Sequence, residues 1–511
     1  MGYLYRHVRR RVPWLAVAVS GASFLYFLCY PLAIGRADES HLLVESRRLL
    51  DGQVVYRDFF ETLTPLAFYL FAGLFRIAGT TLWTARVAIA VVNALGCGLL
   101  AHLVRRVSGG VEAVLAALIY AGLCVPVWPY ASLHWISTML GLAVATVMLA
   151  DGGGAPRMRP FLAGVLAGVA VCVQQQRGVF LAAWVPAACW MLDQGRPAGR
   201  GWRTVGRDMV WAVCGGALVA VPVLGHAAWR SSPGALVDQL WGFASRHYAP
   251  AQAGVRWGAV LPLTQDWAAS TWLWLVRVAP AFPLAEGLVL LRAGGPWDQA
   301  RRARLALAVL AGLMALSMWY LPDFIHVSFI LPFLLIPGAS LLHGLRAAAR
   351  RSGSAPASLA VTLGLWTFAV AAAGQAVANV AYAHALAPVR FDTAFGPLRG
   401  TPAMERLYRA VARHLAPEPD GRAVLYSYPA DAWLYLALGA DNPTRFSAMV
   451  PGFFPPEYVD EVAAVLRAGR PSTVVVLVGA RSDLVLQAME GVYQPVEDVP
   501  PYRVFVRSGS R

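Results

Sequence analysis

The chain has 511 residues, of which 58% are hydrophobic and 14% charged, and a formal net charge of +15. So apolar a chain is not an ordinary soluble protein. Its 43 lysine-or-arginine positions are all arginine, and from Arg390 onward arginines and acids balance, so the excess charge belongs to the apolar part. That distribution follows the positive-inside rule of membrane proteins, and no nucleic-acid partner is expected.

Arg6, Arg9, Arg10 and Arg11 precede an apolar run over residues 13–35. A membrane span needs roughly 20 apolar residues. No small-residue cleavage site separates this run from polar sequence, so it reads as a retained first span and not a signal peptide. The arginines place the N-terminus in the cytoplasm. Residues 36–81 follow as an external loop with amphipathic stretches. Further apolar runs have cores near 82–103, 110–128, 133–150, 160–174, 178–194, 208–228, 270–291, 304–321, 326–345 and 357–382. With the first, they predict about 11 transmembrane helices. Arg105 and Arg106, Arg157 and Arg159, Arg196, Arg200 and Arg203, Arg292 to Arg304, and Arg346 to Arg351 recur after every second run and mark cytoplasmic ends. An odd number of spans puts the C-terminus outside. Cys29, Cys97, Cys124, Cys172, Cys189 and Cys214 all lie in apolar runs and read as buried small hydrophobes.

The tail changes character. "AVLYSY", "STVVVLVG" and "YRVFVR" have the β-branched and aromatic content of strands. "PEYVDEVAAVLRAG" and "SDLVLQAMEGV" have the pattern of amphipathic helices. Alternating strand and helix predicts a small α/β domain. The expected fold class is mainly α: a polytopic membrane domain over 1–384 and a C-terminal external α/β domain over 385–511.

The loop "RADESHLLVESRRLLDGQVVYRDFF" (36–60) places Asp38 and Glu39 directly after the first span. A solvated helix cap is the bland reading of such a pair. The loop also carries Glu45, Asp51, Asp58 and Glu61, and apolar residues that would keep it at the membrane surface. A carboxylate there can take a proton from an attacking hydroxyl or amine. His41 and Glu45 are four apart and Glu45 and Arg48 three apart, a spacing that reads as surface salt bridges.

Asp38–Glu39, Gly52–Tyr56–Asp58, Pro65 and Arg86 form an ordered set across the loop and the start of the second span. This set resembles the GT-C class of membrane glycosyltransferases. More narrowly, it is similar to the family-39-like branch related to protein O-mannosyltransferases and the aminoarabinose transferases of lipid A. "AGVAVCVQQQRGVFLAAWVPA", "YLPDFIHVSFILPFLLIPGASLL" and the tail extend the likeness along most of the chain. The resemblance implies a GT-C fold and a polyprenyl-phosphate-linked sugar as donor. It implies transfer to a hydroxyl or amine of a glycan, lipid or protein acceptor, with inversion at the anomeric carbon. Asp38 would be the base, and Glu39 and Asp58 would tune it or hold the acceptor.

The sequence departs from that pattern at "FETLTPL", which lacks the lysine some relatives use to hold the donor phosphate. Arginine can bind phosphate by two-point hydrogen bonding. The external-side candidates are Arg57, Arg177, Arg246 and Arg256, with Arg177 first; its alternative is to snorkel toward a headgroup. His134 and His326 open the fourth and tenth runs from outside, and either could bond a phosphate or sugar. The acids are compatible with a divalent metal, but no tight ligand set stands out. The expected setting is the inner membrane, with membrane lipids as neighbours and the site facing outward. The rival reading is a transporter or flippase of lipid-linked substrates; such proteins often show inverted repeats, and none is evident.

Overall fold

The computed structural model describes residues 14–35, 38–150, 157–193, 202–252, 254–260, 266–418, 421–450, 452–479 and 483–509. The arginines before residue 13, and Arg196 and Arg200, lie outside the described residues.

Every expected apolar run contains a helix. In hydrocarbon the backbone must satisfy its own hydrogen bonds, which a helix does within one segment. The helices are α1 (Trp14–Leu28), α4 (Leu82–Val107), α5 (Gly110–Ile119), α6 (Leu133–Leu149), α7 (Met158–Val173), α8 (Gln175–Asp193) and α9 (Trp202–Arg230). They continue as α10 (Asp266–Val278), α11 (Ala281–Arg292), α12 (Gln299–Leu316), α13 (Phe324–Arg351) and α14 (Ala355–Leu386). α10 and α11 form one run bent by 47°.

The span count is smaller than expected. Among the described residues, five helices are long and apolar enough to cross a membrane, and six if the bent pair is one span. For three helices the reason is length; α8 and α12, with 19 and 18 residues, are long enough but open on polar and charged residues. α1, α6 and α7 have 15, 17 and 16 residues, and at 1.5 Å per residue these are shorter than a hydrocarbon core of about 30 Å. α9 and α14 bury only 11% and 6% of their apolar windows, whereas α13 buries 78%. The first two therefore present apolar surface outward, as lipid-facing helices do, and α13 is the inner one. Cys29 and Cys214 are exposed, contrary to the expectation that all six cysteines are buried.

Small residues let helices approach. A Cβ added at Gly164 in α7 would sit 2.0 Å from the Ala212 carbonyl oxygen in α9. One at Gly215 in α9 would sit 2.2 Å from the Phe161 carbonyl. This is the small-residue packing that substitutes for hydrophobic driving force in lipid. Buried acids are compensated: Glu112 pairs with Arg346 at 2.5 Å, and Glu286 with Arg304 at 2.7 Å and the Ser340 hydroxyl at 2.8 Å.

The first loop folds into α2 (Asp38–Leu50) and α3 (Leu66–Ala78), in line with its amphipathic pattern. Between them the Gly52–Tyr56–Asp58 element is a tight turn. Gly52 and Tyr56 have φ of 86° and 67°, and the Asp58 carboxylate accepts the Val54 N–H at 2.8 Å.

The tail begins with a hairpin, β1 (Val389–Thr393) and β2 (Gly396–Gly400), then α15 (Pro402–His414). A four-stranded mixed sheet follows in the order β3-β4-β6-β5, with β3 (Leu425–Tyr428) parallel to β4 (Thr473–Leu477). β5 (Tyr493–Val499) and β6 (Tyr502–Arg507) complete it by antiparallel pairing. The helices α16 (Trp433–Leu438), α17 (Pro456–Arg467) and α18 (Asp483–Met489) alternate with these strands. β1, β2, β5, α15 and α16 were not singled out from sequence. The tail rests on α2: Arg47 donates to the Tyr435 carbonyl at 3.0 Å, and the Phe60 N–H donates to the Arg445 carbonyl at 2.9 Å.

Gly164→Val should lower the thermal unfolding temperature in detergent, because the new side chain meets an α9 backbone carbonyl that cannot yield. Overpacking of this kind costs about 1–3 kcal/mol, and an unchanged melting curve would show that α7 and α9 are not in this contact.

Candidate active site

α2 is the element that brings the acids together. Its N-terminus is held by Glu39, which is wholly buried. One Glu39 oxygen accepts the Ala131 N–H at 2.7 Å and the other the Gly35 N–H at 2.7 Å, while Arg86 bonds both. Arg86 also donates to the Pro129 and Ala33 carbonyls and lies 5.2 Å from the Tyr130 ring centre. Glu39 is thus committed to three chain segments. Those bonds occupy both of its oxygens and fix the backbone next to Asp38.

Asp38 is exposed to solvent, yet protein surrounds it closely enough to raise its pKa by desolvation. His326 and His41 oppose that rise, and Asp323 and Glu61 add to it. A solvent-accessible carboxylate whose pKa is raised is the kind of group that can serve as a general base.

Of His41 and Glu45, read from sequence as surface salt-bridge partners, Glu45 is buried and His41 partly buried. His41 Nε2 lies 2.8 Å from Glu61 Oε2, and the other Glu61 oxygen accepts the N–H groups of Thr62 and Leu63 at 2.7 and 3.0 Å. Glu45 is fully buried, accepts the Ser447 hydroxyl, and stands 3.7 Å from Arg48 and 3.9 Å from His41. Burial would depress the His41 imidazole, but Glu61, then Glu45 and Asp38, outweigh it and push His41 up to about 9. Burial raises Glu45, against the pull of Arg48 and His41.

His326, which acts on Asp38, belongs to a cluster built by α6, α8 and α13. His134 and His326 open α6 and α13, as their positions suggested, and their rings meet edge-on with centres 5.2 Å apart. His134 also stacks on Phe329 at 4.6 Å. Asp323 caps α13, accepting the His326 N–H at 2.8 Å and facing His326 Nδ1 with both oxygens at 3.0 and 2.9 Å. Two of the three consecutive glutamines have a visible use. Gln174 holds His134 Nδ1 at 2.8 Å, and Gln175 donates to the Thr62 carbonyl at 2.7 Å, tying the "FETLTPL" turn to α8.

Arg177 sits in the first turn of α8 and is 2% exposed, so it does not snorkel. It donates to the His134 carbonyl at 3.0 Å, to the hydroxyls of Ser137 and Thr138 at 3.2 Å each, and toward Met318 sulfur. Its Nε is buried without a partner, and no ion pair joins it to an acid among the described residues. A buried guanidinium is costly unless an anion compensates it, so the wall behind the two histidines has the electrostatics of an anion site.

The remaining candidates are elsewhere. Arg57 is half exposed and pairs with Asp58 at 2.8 Å; that bond is the main reason the Asp58 carboxyl lies below its usual range. Asp58 lines a separate polar cleft of about 650 Å³ with Arg48, Asp441 and Arg445. As a member of the turn, it stands apart from the charges that chiefly act on Asp38. Arg246 is exposed and pairs with Asp238, and Arg256 is exposed on a loop. Sequence reasoning did not assign Glu61, Asp323 or Gln174 to the site. For Asp323 the signal was present: an Asp three residues before a His at a helix start is a cap that reaches the ring. Among the described residues, no group of three or more His, Cys, Asp or Glu side chains is placed to hold a metal ion.

No family model matches the sequence, and no curated protein matches it significantly. Solved structures do match. ArnT from Cupriavidus metallidurans bound to undecaprenyl phosphate superposes with a TM-score of 0.61 at 17% identity, over 97% of this chain and 98% of that one. The archaeal oligosaccharyltransferase AglB from Archaeoglobus fulgidus, in complex with an inhibitory peptide and a dolichol-phosphate, gives 0.52 at 13% identity, over 94% of this chain and 72% of that one. The chain therefore has the fold of the GT-C membrane glycosyltransferases, as the sequence resemblance implied.

Two outcomes test the geometry. Glu39→Ala should destabilise the protein by about 3–5 kcal/mol, since it strands a buried arginine; a loss under 1 kcal/mol in a chemical melt would contradict the clamp. His41 has a folded pKa above its unfolded value, so its stabilisation is complete below about pH 6.5 and is lost as pH rises through about 9. The shift bounds it at about 3 kcal/mol. The wild-type unfolding temperature should fall between those pH values more steeply than that of His41→Gln; parallel curves would show that His41 is not held by Glu61.

Proposed function

We propose that this chain is a polytopic membrane glycosyltransferase that moves a sugar from a polyprenyl-phosphate donor to a hydroxyl or amine of a glycan, lipid or protein acceptor, with inversion. The observation that carries the reading is that Asp38, accessible and with a raised pKa, lies within electrostatic reach of His326, whose ring meets His134 in front of the buried Arg177. A base opposite an anion site is what displacement of a phosphate requires. The fold, shared end to end with a protein whose structure holds undecaprenyl phosphate, supports the donor class.

In the step, Asp38 takes the acceptor proton as the acceptor oxygen or nitrogen bonds to the anomeric carbon. The bond from that carbon to the phosphate oxygen breaks, and the lipid phosphate leaves with added negative charge. His134 and His326 bond that phosphate, and Arg177 stabilises its charge from behind through a water-poor wall, where such interactions are strong. Glu39 positions the base. The lipid-facing surfaces of α9 and α14 keep the protein in the bilayer, where the polyprenyl tail also stays. The arginine clusters favour an N-terminus in the cytoplasm and a recess and tail domain facing outward.

Asp38→Asn should abolish sugar transfer from a lipid-phosphate donor, by at least 100-fold, while its melting curve and its binding of undecaprenyl phosphate are retained. Near-normal turnover would remove Asp38 as base. Arg177→Gln should weaken undecaprenyl phosphate binding at least tenfold and Arg177→Lys much less; equal affinities in both variants and the wild type would remove Arg177 from the anion site.

A further inference from the structure

We propose that His326, held by Asp323, is the proton donor to the departing lipid phosphate, a role distinct from that of its neighbour His134. This rests on the transferase reading above and assigns the two histidines different chemistry.

The two imidazoles meet, but their bonds differ. Asp323, 1% exposed, faces His326 Nδ1 with both oxygens at 2.9 and 3.0 Å. A carboxylate only accepts, so that ring nitrogen carries a proton. His326 Nε2 has no hydrogen-bond partner among the described residues, and the side chain keeps 14% of its surface accessible. Nε2 is thus the ring position open to a ligand and to proton exchange. A carboxylate behind one nitrogen and an open second nitrogen is the arrangement by which an oriented histidine handles protons.

His134 is bonded the other way. Its Nδ1 lies 2.8 Å from the Gln174 amide nitrogen, a donor, while the Ser137 hydroxyl bonds the Gln174 amide oxygen at 2.7 Å. Nδ1 of His134 is therefore an acceptor, and its proton sits on Nε2 as a fixed donor. The guanidinium of Arg177 bonds the His134 carbonyl at 3.0 Å and lies 5.5 Å from the centre of the Phe329 ring on which His134 stacks. No carboxylate touches the His134 ring among the described residues. One imidazole is set to give a hydrogen bond and the other to give a proton.

The charged groups facing His326 are Asp323 at its own helix cap, Asp38 on α2, and Arg177 behind Phe329; His134 and Tyr320 are the titratable neighbours. Asp38 and His326 are within electrostatic reach of each other. That closes a proton cycle. The acceptor proton passes to Asp38 as the acceptor–carbon bond forms. His326 enters the step as the imidazolium, with its Nδ1 proton hydrogen-bonded to Asp323 and a second proton on Nε2. As the carbon–oxygen bond to phosphate breaks, the phosphate oxygen takes the Nε2 proton, leaving a lipid phosphate monoanion and a neutral imidazole that keeps its Nδ1 proton. Asp38 then returns its proton to His326. The acceptor proton ends on the phosphate, and both residues are restored. Without a lysine at "FETLTPL", a protonatable imidazole supplies both charge and proton at the leaving group.

The probe is undecaprenyl phosphate itself, bound to the full chain in nanodiscs and followed by phosphorus NMR across pH. In the wild type the bound phosphate should titrate in two coupled steps, shared with an imidazole. In His326→Gln it should titrate in one step, with donor KM within about threefold of wild type and kcat at least tenfold lower. Histidine nitrogen NMR of the wild type, in which the His326 ring signal should move when the lipid is added, tests the same contact if the glutamine variant misfolds. A lipid that binds both proteins with the same titration, or a His326 ring that does not respond to it, overturns the proton-donor role while leaving the transferase reading intact. A wild type that does not bind the lipid overturns that reading, and this inference with it.

Discussion

The site depends on a buried ion pair. Glu39 and Arg86 would each be costly to bury alone, and the pair alone would only break even. Their remaining lone pairs and N–H groups are taken up by backbone at Gly35, Ala131, Ala33 and Pro129. One carboxylate thus joins the end of the first apolar run, the start of α2, the second run and the segment before α6. Asp38 is the residue before it, and its placement follows from the clamp. An acidic pair after a first span therefore divides its labour: one member is spent on structure so that the other stays accessible.

The rest of α2 carries that order outward. His41 engages Glu61, Glu45 engages Ser447 of the tail, and Arg48 reaches the Thr444 and Asp58 carbonyls at 3.2 and 2.9 Å. A single 13-residue helix thus links Asp38 at one end to the C-terminal sheet region at the other. On the proposed reading, that region would meet the acceptor, and α2 would relate its position to the base.

Much of the fold is legible in the sequence because hydrocarbon forces helices wherever the chain is apolar. All the expected runs are helical, and β3, β4 and β6 are the strongly β-branched or aromatic segments read as strands. β5, with Gln494, Pro495, Glu497 and Asp498, hides because its neighbour supplies the pairing. The candidate site is legible in its residue types and not in its packing. Residue type and position pointed to Asp38, His134, His326 and Arg177, and the fold does bring His134, 192 positions earlier, against His326. Sequence could not tell that Glu45 and Arg48 are interior, because an i,i+3 spacing looks the same on an exposed helix and on one covered by a distant domain. Nor could it separate Asp58, a turn-former bonded to Val54, from Asp38, since both are acids of the same loop. Those distinctions come from tertiary packing, which local pattern does not carry.

The central claim is that the wall of histidines and Arg177 is an anion site for a lipid phosphate, opposite Asp38. A cryo-electron-microscopy structure of the chain in nanodiscs with undecaprenyl phosphate tests it most directly. The account predicts phosphate density within hydrogen-bonding distance of His134 and His326, on the Asp38 side of Arg177, with the tail leaving between helices into lipid. Phosphate bound instead at the arginine clusters between the apolar runs or in the polar cleft beside Asp58, and not beside the two histidines, would contradict it.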